Sequence, residues 1–239
     1  KPILIGRPDV VQMRIDGLGL RLKQDVDYEI CDPNDDPRYG DYWRQYHSIM
    51  ERKGVSPDAA RTIIRTNTTA IASIMLKRGE ADAMICGTYG QYDWHLRYVM
   101  NIIDRSEGVD HVSALSVLLL SKGTYFFCDT HVTPDPSAEQ VAETTILAAE
   151  KIRRFGITPK VGLLSHSNFG SHPSERARKM SDALEIIRKI APELEVEGEM
   201  QGDVALNEEI RNRVFPNSQL EGRANLLVMP NLGAANISF

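Results

Sequence analysis

Short apolar runs alternate with longer segments whose apolar residues recur every three or four positions, almost from one end of the chain to the other. The short runs predict strands at 3–5, 28–31, 83–86, 113–120, 125–128, 161–164, 194–198 and 226–229. Most are apolar without polar alternation, which is the pattern of strands covered on both faces. The chain is therefore expected to be α/β, with helices on both sides of mostly parallel sheets. Gly123 stands between 113–120 and 125–128 with too little chain for a crossover helix, so these two strands should form an antiparallel hairpin.

Helix starts are signalled locally. Ser56-Pro57-Asp58 supplies an N-cap, a proline for the first turn and an acid at the positive end of the dipole. Ser137-Ala138-Glu139-Gln140 is a capping box after Pro136. The helix it opens carries Val141, Ala142, Thr145, Ala148, Ile152 and Phe155 on one face and stops at Gly156. Helices over 67–78 and 174–191 should bury Ile71, Ile74 and Met75, and Ala177, Met180, Leu184 and Ile187, respectively. The polar stretch Asp104-Arg105-Ser106-Glu107-Gly108 predicts a boundary, dividing the chain into a first α/β lobe (1–105) and a second (106–239) with a ligand cleft between them. Ligands of open α/β sheets sit beyond the carboxyl ends of strands, which directs attention to 87–92, 129–136 and 165–171.

Composition narrows the function classes. A net charge of −5 and a pI of about 5.7 argue against nucleic acid or an anionic membrane as a partner. No apolar run approaches the roughly 20 residues that span a bilayer. The chain opens Lys-Pro-Ile-Leu-Ile-Gly, without an initiator Met or a signal peptide, and stops at Asn236-Ile-Ser-Phe239, where a helix is starting; both ends read as cut. Three cysteines, Cys31, Cys86 and Cys128, have no metal-type clustering. Cys86 and Cys128 sit in apolar runs that suggest burial, and a reducing, cytoplasmic setting is the expectation.

Several segments can carry chemistry. Ser165, His166, Ser167, Asn168, Gly170 and Ser171 follow a buried strand and precede a helix whose first turns hold Arg176, Arg178 and Lys179. Cations there oppose the helix dipole, a cost more easily understood if an anion binds nearby; a polar turn with solvated basic residues fits equally. Thr88 lies in a second strand-to-helix loop, with Arg97 in the helix that follows, placed either to clamp a phosphate or carboxylate or to pair with Asp93 or Asp104. Asp129 and His131 have two-residue spacing suited to a metal, but no further ligands are recognisable. His47, His95, His111 and His172 have no recognisable partners and read as structural or exposed. Cys86 at a strand end could be read as a nucleophile, but a packed thiol is favoured. GxGxxG, GxxxxGK[ST], GxSxG and HExxH are absent.

Ordered blocks along nearly the whole chain resemble phosphotransacetylases: Glu80-Ala-Asp-Ala-Met-Ile-Cys-Gly87, Arg97, Pro134-Asp-Pro-Ser-Ala-Glu-Gln-Val-Ala142, Phe155-Gly-Ile-Thr-Pro-Lys-Val-Gly-Leu-Leu-Ser165, Gly198-Glu-Met-Gln-Gly-Asp203 and Gly222-Arg-Ala-Asn-Leu-Leu-Val-Met-Pro-Asn231. The departures are informative. Gly90-Gln91-Tyr92 replaces the family's His-Thr-Thr type loop, and Tyr98 stands where a proline follows the arginine. With 165–171 and Arg7-Pro-Asp-Val-Val11, they resemble the phosphotransacetylase-like tail of large bacterial NADP-dependent malic enzymes.

The resemblance implies a two-lobed, three-layer α/β/α fold of the phosphotransacetylase and isocitrate-dehydrogenase type, truncated at both ends. The family's acid–base and CoA-positioning residues belong to a segment beyond residue 239. The resemblance further implies a non-catalytic regulatory and oligomerisation domain binding acetyl-CoA through Thr88, Arg97 and the 165–171 residues named above. Oxidative decarboxylation of malate, with NADP and magnesium or manganese, would occur in a separate N-terminal domain. The implied partners are a small-molecule effector and other copies of the chain. An active phosphate acetyltransferase and a purely structural domain are the alternatives.

Overall fold

The structure, a computed structural model, describes residues Lys1–Phe239 and divides into two compact units, Lys1–Ser106 and Glu107–Phe239.

The second unit holds a five-stranded sheet. Its elements in chain order are β3 (Ser116–Leu120), β4 (Gly123–Cys128), α6 (Ala138–Arg154), β5 (Val161–Leu164), α7 (Glu175–Ile190), β6 (Val196–Met200), α8 (Gly202–Leu206), α9 (Glu208–Val214), β7 (Leu226–Val228) and α10 (Leu232–Ser238). The strand order is β3-β4-β7-β5-β6; only the β3–β4 hairpin is antiparallel. Alternation along the strands then assigns the faces. Phe126, Cys128, Leu163, Leu226 and Val228 join α6 and α7 in one core, whereas Phe127, Leu164, Leu227 and Met229 join residues of α8 and α10 in another. Apolar residues at consecutive positions are thus used on both sides, and the layers are α/β/α. Close approach depends on small residues: a Cβ on Gly162 would lie 3.1 Å from that of Ala205.

The capping box of α6 forms as read: Ser137 accepts from the Gln140 amide, and the Gln140 side chain accepts from the Ser137 amide. Phe155 is a correction, because it lies past the helix end as the C-cap and is 66% exposed. Helix α7 starts at Glu175, with Ser174 as its cap, so the polar loop after β5 runs through 165–174.

The first unit comprises β1 (Ile3–Ile5), α1 (Pro8–Gly17), β2 (Glu29–Cys31), α2 (Tyr39–Met50), α3 (Pro57–Thr66), α4 (Thr68–Lys77) and α5 (Tyr92–Ile102). Its core is mainly helical: Tyr42, Tyr46, Ile64, Ile71, Ile74 and Ile102 are buried together. Asn67 ends α3 and caps α4, accepting from the Ala70 amide at 2.9 Å. Strands β1 and β2 form a parallel pair with no third strand.

The strand expected at 83–86 does not form. Its residues lie along a cavity of about 980 Å³ whose walls include Ile3, Ile5, Met84 and Thr88, and Ile85 is 98% exposed. An apolar run becomes a strand only where a neighbouring strand takes up its main-chain groups, and none lies beside it. Cys86 is exposed accordingly, against the expectation of burial, while Cys128 is fully buried. No helix is long and apolar enough to cross a membrane.

Candidate functional site

Helices α6 and α7, which follow β4 and β5, cover one face of the second unit's sheet. The chain after β7 enters α10, which packs on the other. Because β7 lies between β4 and β5, the helix side reverses on each flank of β7, and the carboxyl-end loops of these strands frame the place where open α/β sheets hold ligands.

The loop after β4 is wound around Asp129. This carboxylate, 8% exposed, accepts the main-chain amides of Ala114 (2.9 Å), His131 (3.1 Å), Val132 (3.1 Å) and Thr133 (2.8 Å). The side chain whose spacing to His131 would suit a metal is thus a main-chain acceptor, and the loop's shape follows from satisfying it. His111 is structural too, its ring nitrogens meeting Thr133 Oγ1 at 2.6 Å and Gln140 Nε2 at 3.3 Å.

The loop after β5 is organised by β6. Glu199, 2% exposed, accepts from the Gly170 amide (2.7 Å) and Ser167 Oγ (2.9 Å) on Oε1, and from Ser181 Oγ (3.1 Å) on Oε2. Asn168 Oδ1 accepts from the Gln201 amide at 2.8 Å, while its Nδ2 donates to Gln201 Oε1 at 3.0 Å. The amides expected to be free for an anion are therefore largely engaged within the protein. Ser167 is buried, and Asn168 tethers the loop instead of pointing a free amide outward. The rim keeps Ser165, partly buried, and His166, Gly170, Ser171 and His172, exposed, with the His166 and His172 rings edge to face at 5.2 Å. Of the basic residues on α7, Lys179 is paired with Asp135 at 2.6 Å, while Arg176 and Arg178 are exposed and form no ion pair.

In the first unit, Thr88 is exposed in a loop held by the buried His95. The His95 ring bonds Thr69 Oγ1 through Nδ1 and the Tyr89 carbonyl through Nε2, both at 2.7 Å. Arg97 is exposed and makes no ion pair; Asp104 is taken by Lys77 at 2.6 Å. Nearby, Glu80 collects Tyr42, Arg38 and Arg78. Burial raises its carboxyl pKa, but the Tyr42 and Arg78 hydrogen bonds outweigh that and hold it below the usual carboxylate range. Burial pushes the Cys31 thiol up to about 12, and burial likewise pushes Cys128 up, so neither is a ready thiolate.

The sequence reading missed Glu199 and Gln201 as loop-holding residues, and Asp129 as the acceptor around which its loop is wound. A signal was present: two glutamates at alternate positions of an otherwise apolar segment, Val196-Glu-Gly-Glu-Met200, mark charges that must find partners inside.

Chemically, the β5 loop offers hydroxyl, imidazole and guanidinium groups to an anion, without an activated nucleophile. Ser174 Oγ lies 3.3 Å from His166 Nε2, but that hydroxyl already caps α7, and no carboxylate is bonded to His166 to orient it. No group of three or more His, Cys, Asp or Glu is placed to hold a metal ion.

The phosphate acetyl/butaryl transferase family matches residues 1–239. An NAD-dependent malic enzyme of Rhizobium meliloti is 56% identical over 238 residues, spanning 100% of this chain and 31% of that protein. An NADP-dependent malic enzyme of Escherichia coli is 52% identical over 239 residues, spanning 100% of this chain and 32% of that protein. The chain thus spans about a third of the length of these curated relatives. A crystal structure of a phosphotransacetylase from Streptococcus pyogenes superposes with a TM-score of 0.86 at 28% identity, covering 100% of this chain and 71% of that one. The chain belongs to the phosphate acetyl/butaryl transferase family.

Proposed function

We propose that this family member is the regulatory domain of a malic enzyme, binding acetyl-CoA as an allosteric inhibitor without transferring acetyl groups itself. In this reading, malate is oxidatively decarboxylated to pyruvate by residues outside 1–239, where the nicotinamide cofactor and a divalent cation act. This domain also supports assembly of copies of the chain. The observation that carries the reading is the rim of the β5 loop. Ser165, His166 and Ser171 lie at a strand end beside a switch point, near a helix bearing Arg176 and Arg178, which form no ion pair, and Gly90-Gln91-Tyr92 stands where the resemblance expects a His-Thr-Thr type loop. Such a rim suits the phosphates of a CoA thioester. Sensing has a chemical rationale, since acetyl-CoA lies downstream of pyruvate, and inhibition requires only that the ligand favour one state of the whole enzyme.

The test is made on the full-length protein. Acetyl-CoA should bind by calorimetry and lower the malate oxidation rate. Acetyl phosphate and CoA should not be converted to acetyl-CoA. Turnover of that reaction at about 1 per second or faster would establish a working acetyltransferase instead. Absence of both binding and inhibition would leave an assembly domain.

A further inference from the structure

The first fact to explain is a buried carboxylate with no cation. Glu199 lies on β6, the edge strand whose residues are all buried. Its neighbour two positions earlier, Glu197, is equally buried but is met by Arg188 at 3.1 Å. Glu199 forms no ion pair; its charge is satisfied by Ser167, Gly170 and Ser181. An uncompensated buried carboxylate is costly, so these donors and the acid define each other's positions.

The second fact is how far the loop bends to reach it. Phe169 and Gly170 are both in the left-handed region, at φ 50° and φ 83°. Phe169 tolerates this while stacked on Phe215, ring centroids 4.4 Å apart, and while donating its amide to the Glu199 carbonyl at 2.8 Å. Gly170 follows and presents its amide to Oε1. Ser167 Oγ, donating to Glu199, accepts the His172 amide at 3.1 Å. The remaining amides close locally, Asn168 onto Ser171 Oγ at 2.9 Å and Ser171 onto the Asn168 carbonyl at 3.0 Å. Of the amides in 165–172, that of His166 alone has no partner.

We infer that Glu199 is the positioning residue of the β5 loop: its carboxylate occupies the Gly170 amide and the Ser167 hydroxyl, donors that an anion would otherwise use. The ligand is consequently met by the rim side chains, above all Ser165, His166 and Ser171. This inference rests on the proposal that the loop binds acetyl-CoA. It makes a distinction that charge alone would not. Glutamine in place of Glu199 can still accept from Ser167 and Gly170 on its oxygen, and its amide can donate to Ser181 Oγ. The loop should therefore survive loss of the charge and fail on loss of the acceptor.

The experiment compares wild type, Glu199→Gln and Glu199→Ala in the full-length protein, reading deuterium uptake of peptides covering 166–174 and acetyl-CoA affinity by calorimetry. Glu199→Gln should stay within about twofold of wild type in both. Glu199→Ala should speed uptake in 166–174 and weaken acetyl-CoA roughly tenfold, the scale of one lost hydrogen bond to a charged group. Ser167→Ala removes one donor to Glu199 and the acceptor for His172; it should show about threefold of both effects and serves if Glu199→Ala does not fold. Unchanged uptake in Glu199→Ala, or in Ser167→Ala as its substitute, overturns the proposal. So does tenfold altered affinity in Glu199→Gln, or faster uptake with wild-type affinity in Glu199→Ala. If wild type itself does not bind acetyl-CoA, the ligand assignment falls, while the uptake comparison still decides whether Glu199 holds the loop.

Discussion

The loops at strand ends in the second unit and the 87–92 loop of the first are held by opposite means. In the second unit, 129–133 and 165–172 are each built around a buried acid: Asp129 draws four main-chain amides inward, and Glu199 draws in the Gly170 amide and the Ser167 and Ser181 hydroxyls. In the first, the Tyr89 carbonyl hangs on a single imidazole, and the apolar segment before it lies unpaired along a cavity. A loop with an internal anion keeps its shape without a ligand, so its rim is preorganised. A loop with a single tether depends on whatever lies against it.

The comparison is tested most severely at Asp129. Asp129→Ala would strand the amides of Ala114, His131, Val132 and Thr133, and should cost on the order of 3–4 kcal/mol in equilibrium denaturation. A loss below about 1 kcal/mol would show that water replaces the carboxylate and that the loop is not built around it. His95→Ala removes the bonds to Thr69 and Tyr89, and should cost about 1–3 kcal/mol, with faster deuterium uptake confined to 87–92. Uptake spread equally over both units would contradict the single-tether description. The smallest stability effect belongs to Arg97→Ala. With no ion pair to lose, it should stay within about 0.5 kcal/mol of wild type, while acetyl-CoA affinity falls about tenfold if this arginine meets the ligand as the family resemblance implies. Wild-type affinity would reduce Arg97 to a solvated surface charge.

The two units also differ in how legible they were. In the second, the cap at Ser137, the apolar runs and periodicity and the hairpin around Gly123 located the elements to within a few residues. There each strand has a neighbour, so local pattern and tertiary setting agree. In the first, Ala83-Met-Ile-Cys86 carries the same kind of strand signal, but no pairing partner lies beside it, and periodicity is blind to that. The candidate site was legible only as a list of residues. Ser165, His166 and Ser171 do line an exposed rim, whereas Ser167 is buried against Glu199 and Asn168 is spent on Gln201, 33 positions away.

The sequence by itself determined the class of fold, the places where α3, α4, α6 and α7 begin, and the resemblance that the family match confirmed, because each rests on local order along the chain: period, caps and ordered motifs. Tertiary structure alone decided which polar groups stay available. Whether a hydroxyl or amide faces solvent or a buried acid depends on strands brought together from distant positions, as β6 is to the β5 loop, and hydrogen-bond satisfaction is settled only there.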